Sequence, residues 1–216
     1  MDYTGDVAVG GPAEVRDLST LVITKIAVGP YDNNAYLLRC RSTGDQVLVD
    51  AAAEPQRLLG LVGSAGLAAV VTTHQHPDHW QALADVVAAT GARTFAHEED
   101  AEGIPVETDV LLEHGDQIMV GEVPLSVVHL RGHTPGSVAL RYDDPEGTGH
   151  LFTGDSLFPG GVGKTTSETF PQLIADVENR LFATMADDTW FYPGHGADST
   201  LGAERPHLAE WHTRGW

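Results

Sequence analysis

Cysteine is nearly missing from this chain: Cys40 is the only one in 216 residues. No internal disulfide can form, and no thiolate metal cluster either. Basic residues are scarce as well. Twelve Lys plus Arg stand against 31 Asp plus Glu, a formal charge of -19 at pH 7. Such a field repels a phosphodiester backbone, which argues against nucleic acid and for a small-molecule substrate. Bound divalent cations would offset part of that charge. No apolar run is long enough to cross a membrane, so no membrane partner is expected. The first ten residues carry Asp2 and Asp6 and no basic residue, unlike a signal peptide, and a cytoplasmic protein is expected.

What is present is an ordinary globular composition, 42% hydrophobic and 20% charged. No linker or short-period repeat divides it, so residues 1–216 read as one mixed α and β domain, with 1–19 a loose lead-in. Strand-like runs are expected at 21–28, 35–39, 46–50, 69–73, 93–96, 117–120, 125–130, 138–142, 150–153 and 189–192. Helices are expected at 54–62, with Pro55 at an early position, and at 79–90, where Trp80, Leu83, Val86 and Val87 share a stripe and Gly91 caps the end. Two more are expected at 170–182 and 205–211.

Residues 72–80, Thr-Thr-His-Gln-His-Pro-Asp-His-Trp, place four potential metal ligands within six positions. His74 and His76 are two apart and share a side of an extended chain. Asp78 and His79 sit where the chain turns into a helix; Pro77 fixes φ there and Asp78 is a natural cap. Three further candidates each follow a strand-like run and stand next to or one residue from a glycine: His133, Asp155 and His195. Loops at the carboxyl ends of strands are where α/β sites collect. Five imidazoles and two carboxylates suit Zn²⁺ first, with Fe or Mn as alternatives. Seven ligands exceed one four-coordinate ion and suit two divalent metal ions sharing a carboxylate. The competing reading is chance clustering among 11 His; the agreement of the compact pattern with the three later turns weighs against it.

These residues resemble the metallo-β-lactamase superfamily from Leu21 to His195. His74, His76, Asp78 and His79 match its His-x-His-x-Asp-His motif, and His133, Asp155 and His195 match its later ligands in order. The resemblance implies an α/β fold, a four-layer αβ/βα sandwich with the metals in a groove at one edge. It implies that His74, His76 and His133 hold one metal, that Asp78, His79 and His195 hold the other, and that Asp155 bridges them. Asp50, at a strand end, would support a ligand from behind. Asp155, where the commonest antibiotic-hydrolysing branch has Cys, is more similar to the glyoxalase II-like branch. So are Asp32-Asn33-Asn34-Ala35-Tyr36, the run from Gly132 to Ser137, and Gly154-Asp155-Ser156-Leu157-Phe158 followed by Gly161-Val162-Gly163-Lys164. Lys164 is thereby a candidate anchor for the carboxylate of a thiol carrier. Only 21 residues follow His195, and Gly196-Ala197 stands where that branch has Glu-Tyr. The run Leu201-Gly202-Ala203-Glu204-Arg205-Pro206 resembles that branch's short, single-domain relatives.

The implied chemistry is hydrolysis of thioesters such as 2-hydroxyacyl-thiol conjugates. Two cations sharing a water bring its pKa near neutrality, and the hydroxide attacks the carbonyl. Asp78 would also accept a proton. Lactone hydrolysis is an alternative on both metals, and persulfide dioxygenation an alternative on a single iron. The glycine-rich run 160–165 looks like a phosphate-binding loop but has Phe158 where that motif needs glycine. The remaining His residues and Cys40 are read as structural, Trp211 and Trp216 as edge cover, and the polar run after His97 as a solvated helix start.

Overall fold

The computed structural model describes residues 3–216. Seven strands form one sheet in chain order: β1 Glu14–Asp17, β2 Leu21–Val28, β3 Asn33–Cys40, β4 Gln46–Val49, β5 Ala69–Val71, β6 Arg93–His97 and β7 Val110–Leu112. Its first half is antiparallel; β4 to β7 run parallel. The second sheet is built from β8 Gln117–Val120, β9 Val123–His129, β10 Val138–Asp143, β11 Gly149–Gly154, β14 Trp190–Pro193 and β15 Ser199–Thr200, in the order β15-β14-β11-β10-β9-β8. A small hairpin, β12 Leu157–Phe158 with β13 Gly161–Val162, stands apart.

The burial pattern explains the layering. Residues alternate faces along a strand. On β2, Leu21 and Ile23 point between the two sheets, where they meet Tyr36, Leu38, Leu125, Leu140, Phe152 and Tyr192. Ile26 and Val28 belong to a second apolar layer, with Leu58 and Val62 of helix α1 Pro55–Val62 and Leu83 and Val86 of α2 Leu83–Thr90. The second sheet turns its outer face to α4 Phe170–Val177 and α5 Leu208–Arg214, through Leu173, Val177 and Trp211. Two sheets thus face each other with helices outside both, an αβ/βα sandwich. Each fully buried Leu or Ile in these layers contributes on the order of 1.5–3 kcal/mol.

Residues 3–19 make defined contacts with the sandwich. β1 pairs with β2 along four residues, and Tyr3 Oη donates to Asp198 at 2.7 Å. Residues 1 and 2 lie outside the described residues. Several expectations are corrected. The helix expected at 79–90 begins at Leu83. Pro77–His79 is instead one tight 3₁₀ turn, and Trp80 leaves it to donate its Nε1–H to Gln75 O at 2.8 Å. Asp78 caps nothing; His76 occupies that position, and the Asp78 side chain turns toward other groups. Gly91 does close α2, at φ +69°, with its N–H on Val87 O. Trp211 is core rather than edge cover, fully buried against Phe182. The polar run after His97 forms the short helix α3 Glu98–Ala101, whose Asp100 is fully buried. Among the described residues no helix is long and apolar enough to cross a membrane.

Candidate metal centre

Each of the seven predicted ligands leaves the carboxyl end of a strand or the turn just beyond it. His74 and His76 follow β5, and the 3₁₀ turn at Pro77–His79 then brings Asp78 and His79 back toward them. His133 follows β9, Asp155 follows β11, and His195 follows β14. The structure brings all seven together. Ligand atoms of His74, His76 and His133 lie within 4.8 Å of one another, as do those of Asp78, His79 and His195, and those of His74, His79 and Asp155. Asp155 sits between the first two groups: its Oδ2 is 3.7 Å from His133 Nε2 and 3.5 Å from His195 Nε2, and its Oδ1 is 3.4 Å from His79 Nε2.

The outer ring nitrogens reveal which nitrogens face inward. His79 donates Nδ1–H to Asp50 Oδ2 at 2.7 Å, His133 to Lys164 O at 2.9 Å, and His195 to Tyr31 O at 2.8 Å. Thr73 spends its hydroxyl proton on Asp50, so it accepts from His74 Nδ1 at 3.1 Å. All four imidazoles therefore present Nε2 to the same volume, the arrangement a metal ion requires of its histidines. His76 turns its Nδ1 to within 3.1 Å of His74 Nε2. His133 Nε2 and Asp155 Oδ1 are buried without any hydrogen-bond partner. Buried polar atoms are rarely left so, unless an ion or water completes them. A tetrahedral ion with bonds near 2.0–2.1 Å separates its ligands by roughly 3.4 Å, which the 3.1–3.7 Å spacings here match. The residues fit divalent metal ions.

Electrostatics favour that use at His74 and His133, while at His79 and His195 the neighbouring carboxylates favour a proton that a bound metal ion would have to displace. Burial, reinforced by neighbouring imidazoles, holds His74 well below its ordinary pKa, and burial lowers His133 as well, so both offer lone pairs at neutral pH. Burial opposes charge on His79, yet Asp50 and Asp155 beside it push it up to about 10. Burial likewise works against ionised Asp155, but His195 and His79 hold its carboxyl well below the usual range. Burial also disfavours the charge on Asp78, and the Asn33 hydrogen bond with neighbouring His79 outweighs it.

Support comes from residues of two kinds. Asp50 was legible as a strand-end carboxylate, and it gathers Thr73 N, Thr73 Oγ1 and His79 Nδ1. Asp100 was not, because it lies in an acidic run that reads as solvated. It accepts from Gln75 N at 2.9 Å, Gly136 N at 2.7 Å and Thr134 Oγ1 at 2.5 Å, tying the His74–His76 loop to the His133 loop. Asn33, from the quoted Asp-Asn segment, donates to Asp78 Oδ2 at 3.0 Å. Gly194 is required by space: a Cβ there would collide with Asp155 Oδ1 and His79 Cε1. A further trio, His97, Glu99 and His129, has similar spacing. One ring nitrogen of each histidine is committed: His97 Nδ1 accepts from Glu99 N, and His129 Nε2 donates to Pro135 O.

A groove of about 660 Å³ opens beside the cluster, lined by His76, His133, Arg131, Lys164 and Thr165 among others. The exposed Lys164 side chain belongs to this wall, while its carbonyl orients His133. The glycine-rich run before it is used in the β12–β13 hairpin.

The model of the metallo-beta-lactamase superfamily matches residues 28–198. A hydroxyacylglutathione hydrolase of Fuscovulum blasticum is 34% identical over 166 residues, which make up 76% of this chain and 62% of that protein. The chain thus spans less than two thirds of that relative's length. Among solved structures, TTHA1623 in a di-iron-bound form aligns with TM-score 0.69 and 33% identity, covering 84% of this chain and 96% of that one. BLEG-1 B3 metallo-beta-lactamase aligns with TM-score 0.74 and 27% identity, covering 86% and 97%. With the matched model covering most of its length and the sandwich carrying the His/Asp cluster at its strand ends, this chain belongs to the metallo-beta-lactamase superfamily.

Proposed function

We propose that this chain is a binuclear metallohydrolase that cleaves thioesters of the 2-hydroxyacyl type. The observation that carries the reading is the convergence of four imidazole Nε2 atoms, His76, Asp78 and Asp155 on one small volume. His74, His76 and His133 would hold one ion, Asp78, His79 and His195 the other, and Asp155 both. Zn is the first candidate, with Fe or Mn as alternatives; the di-iron form of TTHA1623 supports two metals and keeps iron in play. When bound, such ions supply a Lewis acid for a carbonyl and a water ionised near neutral pH.

The chain's own residues do the rest. Asp50, Thr73, Tyr31 and Lys164 O hold the histidine rings in one tautomer and orientation. The groove beside His76 and His133 receives the substrate, and Lys164 on its wall meets a carboxylate of the thiol carrier. Water's oxygen bonds to the acyl carbon, the C–S bond breaks, and sulfur leaves with the electron pair. Asp78, ionised and partly open to solvent, accepts the proton. The name of the Fuscovulum relative supports a hydroxyacyl thioester as the substrate class.

The test is free-thiol release from a panel of 2-hydroxyacyl thioesters, on metal-reconstituted protein with and without chelator. Release that chelator abolishes is expected. No release from any thioester, with metal present, would contradict the reading and direct the search to lactones and then to oxygen-consuming persulfide chemistry.

A further inference from the structure

Lys25 is a charged residue in an apolar strand. By parity along β2 it shares the inward face with Leu21 and Ile23, and its side chain is fully buried between the sheets. Its ammonium has three protons and three acceptors: Asp198 Oδ1 at 2.6 Å, Gly5 O at 2.8 Å and Gly196 O at 2.9 Å. Asp198 is equally buried, and its second oxygen takes Tyr3 Oη at 2.7 Å and Trp190 Nε1 at 3.3 Å. Gly5 packs so tightly on Asp198 that no Cβ would fit.

Two of these acceptors lie in the turn that carries His195. Gly196 O also takes Asn34 Nδ2 at 2.9 Å, and Gly196 itself is in the left-handed region at φ +71°. The turn from Pro193 to Asp198 is therefore gripped from below by Lys25, while His195 projects from its top toward Asp78 and Asp155. A buried ion pair contributes little net stability, and apolar groups of similar size commonly replace one without loss. What it can supply is a fixed geometry.

We infer that Lys25 and Asp198 are positioning residues for the metal site that contains His195, and that the segment around Tyr3 and Gly5 is part of the same support. This rests on the two-metal reading above. Neither residue reaches the cluster; both act through the backbone of the turn. Metal affinity at one site is then coupled to a pair in the interior of the sandwich and to the start of the chain, while the His74, His76 and His133 group hangs on Asp100 instead.

The test is a zinc titration against a chromophoric chelator, resolving two dissociation constants in the wild-type chain. The double variant Lys25→Met/Asp198→Asn removes both charges and keeps an oxygen for Tyr3 and Trp190. Its urea midpoint should stay near that of wild type, one zinc constant should rise about 10–100-fold, and the other should hold. His195→Ala should raise the same constant. If the double variant fails to fold, Tyr3→Phe, which removes one donor to Asp198 and leaves the ion pair in place, gives the same selective rise in smaller measure. Unchanged constants, or equal rises at both sites, would overturn the inference. A wild-type chain that takes up only one zinc would overturn the two-metal reading and this inference with it.

Discussion

Asp50 Oδ2 accepts the Nδ1–H of His79 at 2.7 Å from a backbone held at φ +59°. The left-handed conformation is one that few non-glycine residues adopt, Asn and Asp chief among them. It aims the carboxylate back at Thr73 and His79 together. Asp50→Asn should therefore keep the backbone, but its NH₂ confronts a donor in either orientation, Thr73 N on one side or the Thr73 hydroxyl and His79 Nδ1 on the other. The expected result is a fall of about 10–100-fold in zinc affinity at the His79 site, read by chelator competition, together with a stability loss of roughly 1–3 kcal/mol seen as a lower melting temperature.

Asp100 offers a different case, since three donors converge on its two oxygens. Asn has one oxygen, so in either orientation its NH₂ confronts a donor. Asp100→Asn should cost roughly 1–3 kcal/mol of stability. Urea unfolding measures that cost, and metal analysis should show weaker uptake by the His74, His76 and His133 group. An unchanged urea midpoint would remove Asp100 from its linking role.

Gly194 leaves no room for a side chain between Asp155 and His79. Gly194→Ala should displace the Asp155 carboxylate by a fraction of an ångström to an ångström. Misplacement on that scale lowers turnover by on the order of 100-fold. Thiol-release kinetics at saturating metal would show it. Wild-type turnover in the variant would mean that Asp155 is not held where the structure puts it.

His150 gives a pH dependence remote from the metals. It is fully buried between Tyr142 and Tyr192, and its Nδ1 lies 3.0 Å from Tyr192 Oη. Burial, aided by Arg16, lowers its pKa to about 4. The folded value is depressed relative to an ordinary histidine near 6.5. Its contribution is thus complete above pH 6.5, declines as pH falls, and is gone below about 4, a change of up to roughly 3 kcal/mol. His150→Gln, neutral throughout, should flatten the urea midpoint between pH 6.5 and 4. A slope equal to that of wild type would assign the acid sensitivity elsewhere.

The cluster was legible because its residue types are rare and its spacing compact: His74, His76, Asp78 and His79 announce themselves within six positions. The layers were legible from the resemblance and from alternation along runs such as Leu21–Val28. What escaped reading depended on contacts distant in sequence. Trp80 fits the apolar stripe of a helix, but its indole proton is drawn to Gln75 O and the helix waits until Leu83. Asp100 sits beside Glu98 and Glu99, and only the folded chain shows that it alone of the three is buried. Residues 14–17 are charged at three of four positions and carry no apolar run, yet pair with β2 as an edge strand.

Metal count and turnover should rise together in this chain. Metal-depleted protein would be titrated with zinc while thiol release from a 2-hydroxyacyl thioester is followed. The prediction is saturation at two zinc per chain, with most of the activity arriving with the second equivalent and lost in Asp155→Ala. Saturation at one zinc per chain with full turnover, or two zinc with none, would contradict it.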